Sequence, residues 1–265
     1  MRTLARAVRK MEHSGEPIPL PFQSWTNTGI GFWRGDLGMI AGPPGIGKST
    51  VALTIAVRSH LPTLYFSADS SLATQSLRIL SMITTVPMRT IKERMDTEGD
   101  KFWEDQWVQT ALSHGDHIKW NFDASPSLAS IDDELACFIE LHGEPPALLV
   151  VDNAADIAFE SGDEFSSLRT LMKELKLTCR SHNMAGVVLH HTSEAFQSSL
   201  CPPLHALHGK VAQTPSVVVT MSQPNPGFLA VCPVKNRNGQ GDRTGERGIY
   251  MEFHPEQMMV RDHGA

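Results

Sequence analysis

The sequence contains few cysteines, and no two of them form a C-x-x-C pair. Their wide separation argues against a zinc knuckle and against a disulfide framework. The four are Cys137, Cys179, Cys201 and Cys232. No apolar run approaches the roughly 20 residues that a membrane-spanning helix needs, and the first ten residues lack the apolar centre of a signal peptide. We therefore expect a soluble, cytoplasmic protein in a reducing compartment.

Positive charge is also scarce, with 23 Lys and Arg against 29 Asp and Glu and a formal net charge of −6. Because nucleic-acid phosphates are bound by concentrated Lys and Arg, this balance argues against a broadly basic surface, although a local basic channel stays open. With 265 residues, 41% of them hydrophobic, the chain can bury one large α/β core. We expect one domain over residues 25–265, preceded by an arm or linker helix (1–24) able to dock on a neighbouring subunit.

One segment, GPPGIGKST at 42–50, has the G-x-x-x-x-G-K-[ST] spacing of a phosphate-binding loop. Side chains at its glycines would keep backbone N–H groups away from a polyphosphate. In this motif the ammonium of Lys48 contacts the β- and γ-phosphates of a nucleotide such as ATP, and the Ser49 hydroxyl binds Mg²⁺. The predicted nucleotide-binding residues are Gly42, Pro43, Pro44, Gly45, Ile46, Gly47, Lys48, Ser49 and Thr50.

Apolar runs typical of buried strands alternate with helix-like segments along the chain. The predicted strands are 37–41, 63–67, 147–151 and 185–189, and the predicted helices are 51–57, 72–84 and 164–182. Later runs at 216–221 and 227–234 indicate a hairpin around a proline-rich turn, 222–226, and a last strand spans 248–253. Segment 85–123 is predicted as a helical excursion whose tryptophans pack, with base stacking as the weaker alternative. This order indicates an α/β fold with a mainly parallel sheet covered by helices.

Two acidic residues come directly after apolar strands. Asp152 ends the strand 147–151, and because ligands bind at the carboxyl ends of strands in open α/β sheets, its carboxylate can hold Mg²⁺ through water. Asp69 follows the strand 63–67 and can orient an attacking water. Both positions have a structural alternative, since an Asp after a strand can form a turn and an Asp before a helix can be its N-cap.

Basic side chains follow two other strands. His190-His191 closes the strand 185–189, and because successive strand residues point to opposite faces, we expect at most one of the two rings to face the nucleotide and sense phosphate. A zinc site that adds His205 and His208 lacks carboxylate or thiolate partners at suitable spacing. Lys235 and Arg237 leave the strand 227–234 on one face, although on spacing alone a solvated charged turn is the simpler explanation.

An ordered set of motifs resembles the RecA-like ATPase domain of bacterial replicative helicases of the DnaB type, from about Trp25 to Val260. The set comprises the phosphate loop, SADS at 67–70, Val151-Asp152, His190-His191 and KNRNG at 235–239. The resemblance implies that Asp69 stands where the family has its catalytic acid, and that His191 senses the γ-phosphate. It also implies that Lys235 and Arg237 reach the γ-phosphate of the neighbouring subunit.

The same resemblance implies a homo-hexameric ring that couples hydrolysis of ATP, with Mg²⁺, to movement on single-stranded DNA in replication or recombination. The host would be a bacterium, or the gene would belong to a phage or plasmid of a bacterial host. The N-terminal domain of these helicases has no counterpart in the sequence. Two alternatives remain: a recombination ATPase of the RadA type, whose Lys-Asn-Arg-Phe-Gly motif is close to KNRNG, and a nucleotide-switched DNA-binding oligomer without motor activity.

Three features depart from the family pattern. The acid is Asp69 where the family has Glu. The sensor is His-His where most members have Ser-Gln, and this His-His pair is similar to that of plasmid-encoded RepA-type helicases. The third is the loop that grips DNA, where the family has Arg-Glu-x-Gly and this chain has ALHGK at 206–210. The DNA contacts implied there are weaker ones, at His205, His208, Gly209 and Lys210.

Overall fold

One sheet organises the residues that the computed structural model describes, which are 15–158, 164–192 and 199–264. The strands are β1 (Asp36–Gly42), β2 (Thr63–Ser67), β3 (Ile118–Asn121), β4 (Leu148–Asp152), β5 (Ala185–His191), β6 (Val217–Asn225), β7 (Phe228–Asn236), β8 (Ile249–His254) and β9 (Met259–Asp262). They lie in the order β3-β2-β4-β5-β1-β6-β7-β8-β9. Of the predicted arm, residues 1–14 lie outside the described residues.

The first six strands run parallel, and β7, β8 and β9 are antiparallel. The prediction of a mainly parallel α/β sheet that ends in antiparallel strands is therefore confirmed. Gly42 lies beside His191, and Ser67 lies beside Asp152. The carboxyl ends of β1, β5, β2 and β4 thus meet at one edge of the sheet, where open α/β sheets bind their ligands.

Helices cover both faces of the sheet. They are α1 (Gln23–Asn27), α2 (Lys48–Ser59), α3 (Leu72–Thr84), α4 (Met88–Glu98), α5 (Asp100–Glu104), α6 (Gln106–Leu112), α7 (Leu128–His142) and α8 (Glu164–His182). The side chain of Ser71 accepts a hydrogen bond from the Thr74 N–H and so caps α3, and Ser127 forms a capping box with Ser130 at the start of α7. Such caps fix where a helix begins, because they satisfy N–H groups that have no partner within the helix.

Alternation along the strands divides the apolar core into two layers. Tyr65 packs with α2 in one layer, whereas its neighbours Leu64 and Phe66 pack with α7 and α8 in the other. Ile18 and Phe22 are buried beside Trp25 in the first layer, so the described part of the predicted arm packs on this core. No helix within the described ranges is long and apolar enough to cross a membrane.

Two sequence predictions need correction at their boundaries, and one strand was not predicted. The proline-rich turn of the hairpin is shorter than predicted, because β6 continues to Asn225 and the turn is Pro226-Gly227. Pro224 is tolerated in this strand because β6 pairs with β1 only as far as Thr220, and the pairing with β7 is irregular after Ser222. The segment 85–123 is helical from α4 to α6, as predicted, but it ends in the edge strand β3. Strand β9 was missed, since its four residues are too few for a periodic signal.

The tryptophans of this helical segment pack against apolar neighbours, as predicted. Trp103 and Trp107 lie against a small cluster centred on Phe102, and Arg94 lies over the Trp107 ring at 5.2 Å. The Trp120 ring lies 4.7 Å from the ring of Tyr65. All three tryptophans are half-buried against these partners, which agrees with a packing role.

Candidate active site

The predicted phosphate-binding residues form a loop between β1 and α2. Gly42 ends β1, residues 43–47 form the loop, and Lys48 begins α2. Gly45 and Gly47 have positive φ values of 75° and 100°, and a Cβ atom on Gly47 would lie 2.8 Å from Cζ of Phe253. Within the described ranges, the N–H groups of Gly45 and Gly47 donate to no backbone acceptor. Free N–H groups at the start of a helix fit a polyphosphate.

Lys48 lies across the mouth of this loop. Its Nζ atom donates hydrogen bonds to the carbonyl oxygens of Gly42 (3.1 Å) and Pro43 (2.9 Å) and lies 3.2 Å from Nδ1 of His191. Burial lowers the pKa of Lys48 to about 8, although the carboxylates of Asp152 and Asp69 oppose this change. A partly desolvated ammonium gains strongly from a phosphate at this position, since the local dielectric constant is low.

Asp152 is buried at the end of β4 beside the start of α2. Its carboxylate accepts hydrogen bonds from the Ser49 hydroxyl and from Oη of Tyr65, which lies 3.2 Å from Oδ2. Burial raises the pKa of Asp152, and the two hydrogen bonds oppose the rise. A hydroxyl beside a carboxylate is a donor set that suits Mg²⁺, which takes its other ligands from phosphates and water. Ser49 and Asp152 therefore fit the predicted metal site.

Asp69 lies in a turn directly after β2. Gln75 donates to Oγ of Ser67 at 2.9 Å, and that hydroxyl donates to the carbonyl of Ser70 at 3.0 Å, so the turn is held from both sides. Asp69 is exposed and lines the same cavity of about 280 Å³ as Lys48 and Asp152. The N-cap alternative is wrong, because Ser71 caps α3.

His191 also lines the cavity, whereas His190 is buried away from it. Burial and the charge of Lys48 lower the pKa of His191, which keeps the ring neutral near pH 7. Nε2 of His191 lies 3.1 Å from Nδ2 of Asn153, and Nδ1 faces Lys48. A neutral imidazole has one acceptor nitrogen, so it cannot accept from both groups. A phosphate that draws Lys48 away would leave Nδ1–H as a donor.

Three residues of the site were not found by sequence reasoning. Asn153 follows Asp152, and its amide is itself held by Asp156 (3.1 Å) and by the Ala155 N–H (2.9 Å). Tyr65 holds Asp152, but its place inside an apolar strand resembles that of a core residue. Arg78 lines the cavity, and its buried Nη1 has no hydrogen-bond partner among the described residues. A buried donor without a partner fits an anion in the cavity.

Lys235 and Arg237 do not join this cavity. Asn236 pairs with Val217, which pairs with Gly38 near the start of β1, so the end of β7 lies at the sheet edge opposite the phosphate loop. Arg237 lines a second cavity of about 450 Å³ together with Arg34, Lys176 and Arg180. Lys235 is turned instead towards the backbone carbonyls of Ala212, Gln213 and Pro215.

The predicted DNA-binding residues precede these carbonyls. His205 is exposed in a 3-10 helix, Leu204–Ala206, and Lys210 is exposed in another, His208–Gln213. Residues 193–198 lie outside the described residues, and His208 and Gly209 belong to the second of these helices. Lys210 has φ +58°, in the left-handed region that costs about 1–2 kcal/mol for a residue with a side chain.

A mainly parallel sheet, a glycine-rich loop before α2 and acidic residues at the ends of β2 and β4 define a P-loop nucleotide-binding protein. Residues 15–195 match the family described as AAA domain, and the chain belongs to that family. It is 32% identical over 95% of its length to the Gene 65 protein of Mycobacterium phage L5 and covers 95% of that protein. It is 24% identical, over 89% of its length, to Replicative DNA helicase DnaB of Leifsonia xyli subsp. xyli, of which it spans 55%.

Solved structures share the fold. A DnaB-like replicative helicase has a TM-score of 0.78 at 14% identity, with 98% of this chain and 65% of that chain covered. The RadB recombinase has a TM-score of 0.61 at 16% identity, with 92% and 99% covered. The RecA-like fold and the resemblance to DnaB-type ATPase domains are therefore confirmed.

Proposed function

We propose that the chain is a ring-forming ATPase that couples ATP hydrolysis to movement along single-stranded DNA in replication or recombination. One observation carries the proposal. Lys48, Asp69, Asp152 and His191 meet around one cavity at one sheet edge, while Arg237 lies at the opposite edge. A site divided in this way is completed when the opposite edge of a second copy faces the cavity. The DnaB relative supports the choice of DNA as the partner.

Hydrolysis would proceed by attack of a water oxygen on the γ-phosphorus, with cleavage of the bond to the β–γ bridging oxygen and release of ADP. Lys48 and the loop N–H groups bind the phosphates. Asp69 orients the water and accepts its proton. The hydrogen bonds of the Ser67 hydroxyl hold the turn that carries Asp69, whose side chain is one methylene shorter than the Glu of the family. Mg²⁺ held by Ser49 and Asp152 would offset the charge that develops on the β- and γ-phosphate oxygens.

His191 reports the γ-phosphate in this proposal. The Asn153 amide donates to Nε2, which leaves the neutral ring with its proton on Nδ1 once Lys48 has turned to the phosphates. Nδ1–H then donates to a γ-phosphate oxygen, and this bond is lost after hydrolysis. Because β5 pairs with β1 and β4, a movement of His191 after loss of this bond can shift the strands that carry Gly42 and Asp152.

Tyr65→Phe is expected to raise the Mg²⁺ concentration needed for half-maximal ATPase activity by about tenfold, since a group that orients a metal ligand typically affects metal affinity to this extent. The substitution removes the hydroxyl that donates to Asp152 and keeps the ring that packs on Trp120. A Mg²⁺ titration of the ATPase rate measures the effect. Tyr250→Phe is the matched control because Tyr250 is exposed, and equal Mg²⁺ requirements in the two variants would contradict the role of Tyr65.

Lys210→Ala is expected to weaken single-strand binding regardless of base sequence and to flatten its salt dependence, by about 0.7 in log–log slope if one phosphate contact is lost. The ATPase rate without DNA should stay nearly unchanged. Labelled oligonucleotide is titrated at several salt concentrations. Lys92→Ala, an exposed lysine on α4, is the control, and an unaltered slope and affinity in Lys210→Ala would remove this residue from the DNA site.

A forked DNA substrate tests the proposed function against its alternatives. A motor displaces a strand with ATP and stops with a non-hydrolysable analogue. A nucleotide switch binds DNA in a nucleotide-dependent way and leaves the duplex intact. A mass measurement with and without the analogue accompanies the assay, because a chain that stays monomeric with nucleotide and DNA contradicts the ring.

A further inference from the structure

The end of the Lys210-bearing 3-10 helix is enclosed by positive charge. Nζ of Lys235 donates to the carbonyl oxygens of Ala212 (2.6 Å), Gln213 (2.9 Å) and Pro215 (2.6 Å). The carbonyl between them, that of Thr214, accepts from Lys176 at 3.3 Å. We refer to the carbonyl oxygens of residues 212–215 as the carbonyl cluster. Each of its four oxygens accepts from a lysine.

This arrangement uses the whole hydrogen-bonding capacity of Lys235. The last carbonyls of a helix have no partner within it, and a cation there is favourable. An ammonium has three N–H donors, and the cluster takes all three. A Lys235 ammonium that turned to a phosphate on a neighbouring subunit would give up bonds to these carbonyls, which offsets part of what the new bond would gain.

Arg237 is placed differently although it lies two residues further along the same face. Its Nη2 donates to the Gln213 carbonyl at 3.2 Å, and its backbone N–H donates to the Ser216 carbonyl at 3.0 Å. No further side-chain hydrogen bond of Arg237 is found within the described ranges, so most of its five N–H donors are free to bind an anion. At the end of β7, Lys235 thus holds the strand to the carbonyl cluster, whereas Arg237 keeps donors for an anion on a partner.

We propose that Lys235 is a positioning residue that couples the Lys210 segment to Arg237, so that a contact of Arg237 with a neighbour's phosphate changes the grip on DNA. The inference rests on the proposed function and assigns Lys235 a role other than the phosphate contact that the resemblance implies. A shift of the β7 end moves Lys235, the Lys235 ammonium moves the carbonyl cluster, and the cluster is continuous with the short helix that carries Lys210.

The test measures the dissociation constant of a labelled single-stranded oligonucleotide with and without a non-hydrolysable ATP analogue. The ratio of the two constants is the coupling factor, which is typically about 5–150-fold for linked sites. In Lys235→Met we expect this ratio to fall at least about fivefold towards unity. Lys92→Met, which makes the same change at an exposed site, should keep the wild-type ratio. A thermal melt checks that each variant is folded.

The dependence on pH separates coupling from a merely structural role. Burial, then the charges of Arg237 and Lys176, lower the pKa of Lys235 to about 8, with Asp36 opposing the change and Arg243 adding to it. Above that pH the neutral amine keeps two donors for three carbonyls. The wild-type ratio should therefore fall between pH 7 and pH 9. In Lys235→Arg, whose side chain stays charged, the ratio should fall less than in the wild type. Lys48 also titrates in this range but is present in both proteins, so the difference between the two pH profiles reports Lys235.

Failure of the Lys235 inference and failure of the proposed function give different results in these experiments. A wild-type ratio in Lys235→Met overturns the inference and leaves the proposed function standing. The inference is also overturned if Lys235→Met loses DNA-free ATPase activity as severely as Arg237→Ala while its ratio survives, because that result indicates a direct phosphate contact. Absence of oligonucleotide binding by the wild-type chain with any nucleotide overturns both.

Discussion

Lys48→Ala is expected to lower the rate of ATP hydrolysis by at least about a hundredfold, which is the usual effect of removing one preorganised group that stabilises transition-state charge. The residue supplies the cation nearest the phosphate loop, where its Nζ atom contacts the Gly42 and Pro43 carbonyls and His191. The fold should survive, because burial already disfavours the charged form of this side chain. Steady-state ATPase rates beside a thermal melt measure both effects.

Lys92→Ala is the matched control for this variant, since it removes an exposed lysine far along the chain from the loop. A second measurement, binding of a fluorescent ATP analogue, separates loss of affinity from loss of chemistry. Near-normal turnover in folded Lys48→Ala protein would remove the phosphate-loop assignment and, with it, the interpretation of Asp152 and Asp69.

Sequence reasoning located the parts of the site that depend on short, regular patterns. The strand bounds 63–67 and the helix bounds 72–84 and 164–182 agree with the structure, because the apolar run of the strand and the periodicity of the helices are clear in these segments. Since the carboxyl ends of parallel strands meet at one edge, Asp69, Asp152 and His191 could be expected near Lys48 from the sequence. The topology of the sheet accounts for most of this agreement.

Contacts between distant side chains could not be predicted in the same way. Tyr65 looks like a core residue in an apolar strand, and its bond to Asp152 depends on the register of β2 against β4. Asn153 gains its role from a ring 38 positions away. No sequence spacing around Tyr65 or Asn153 predicts these partners. The two contacts can be found only from the three-dimensional structure.

Lys235 illustrates a different limit. Its i, i+2 spacing from Arg237 placed both cations on one face, and the resemblance gave both one role. The structure separates them, because the carbonyl cluster takes every donor of Lys235 and leaves Arg237 largely free. A motif therefore fixes the residue types and their face, while the neighbouring backbone decides what each one contacts.

The position of Arg237 leads to the second large effect. Because the end of β7 lies at the sheet edge opposite the phosphate loop, Arg237 cannot act on the nucleotide of its own chain in this fold. An arginine supplied by a neighbour stabilises the charge on the transferred phosphoryl group, a contribution on the order of a thousandfold in rate. We expect Arg237→Ala to lose about this much ATPase activity and to keep its affinity for ATP.

Complementation between variants tests whether Arg237 acts in trans. A Lys48→Ala subunit keeps its own Arg237, and an Arg237→Ala subunit keeps its own phosphate loop, so a mixed ring contains some interfaces with both groups intact. Mixing the two inactive proteins should therefore restore part of the ATPase rate, in proportion to such interfaces. Arg243→Ala, an exposed arginine in the following loop, should stay active alone. If Lys48→Ala and Arg237→Ala assemble together and remain inactive at every mixing ratio, Arg237 does not complete a neighbour's site, and the division of the site between two sheet edges has no catalytic meaning.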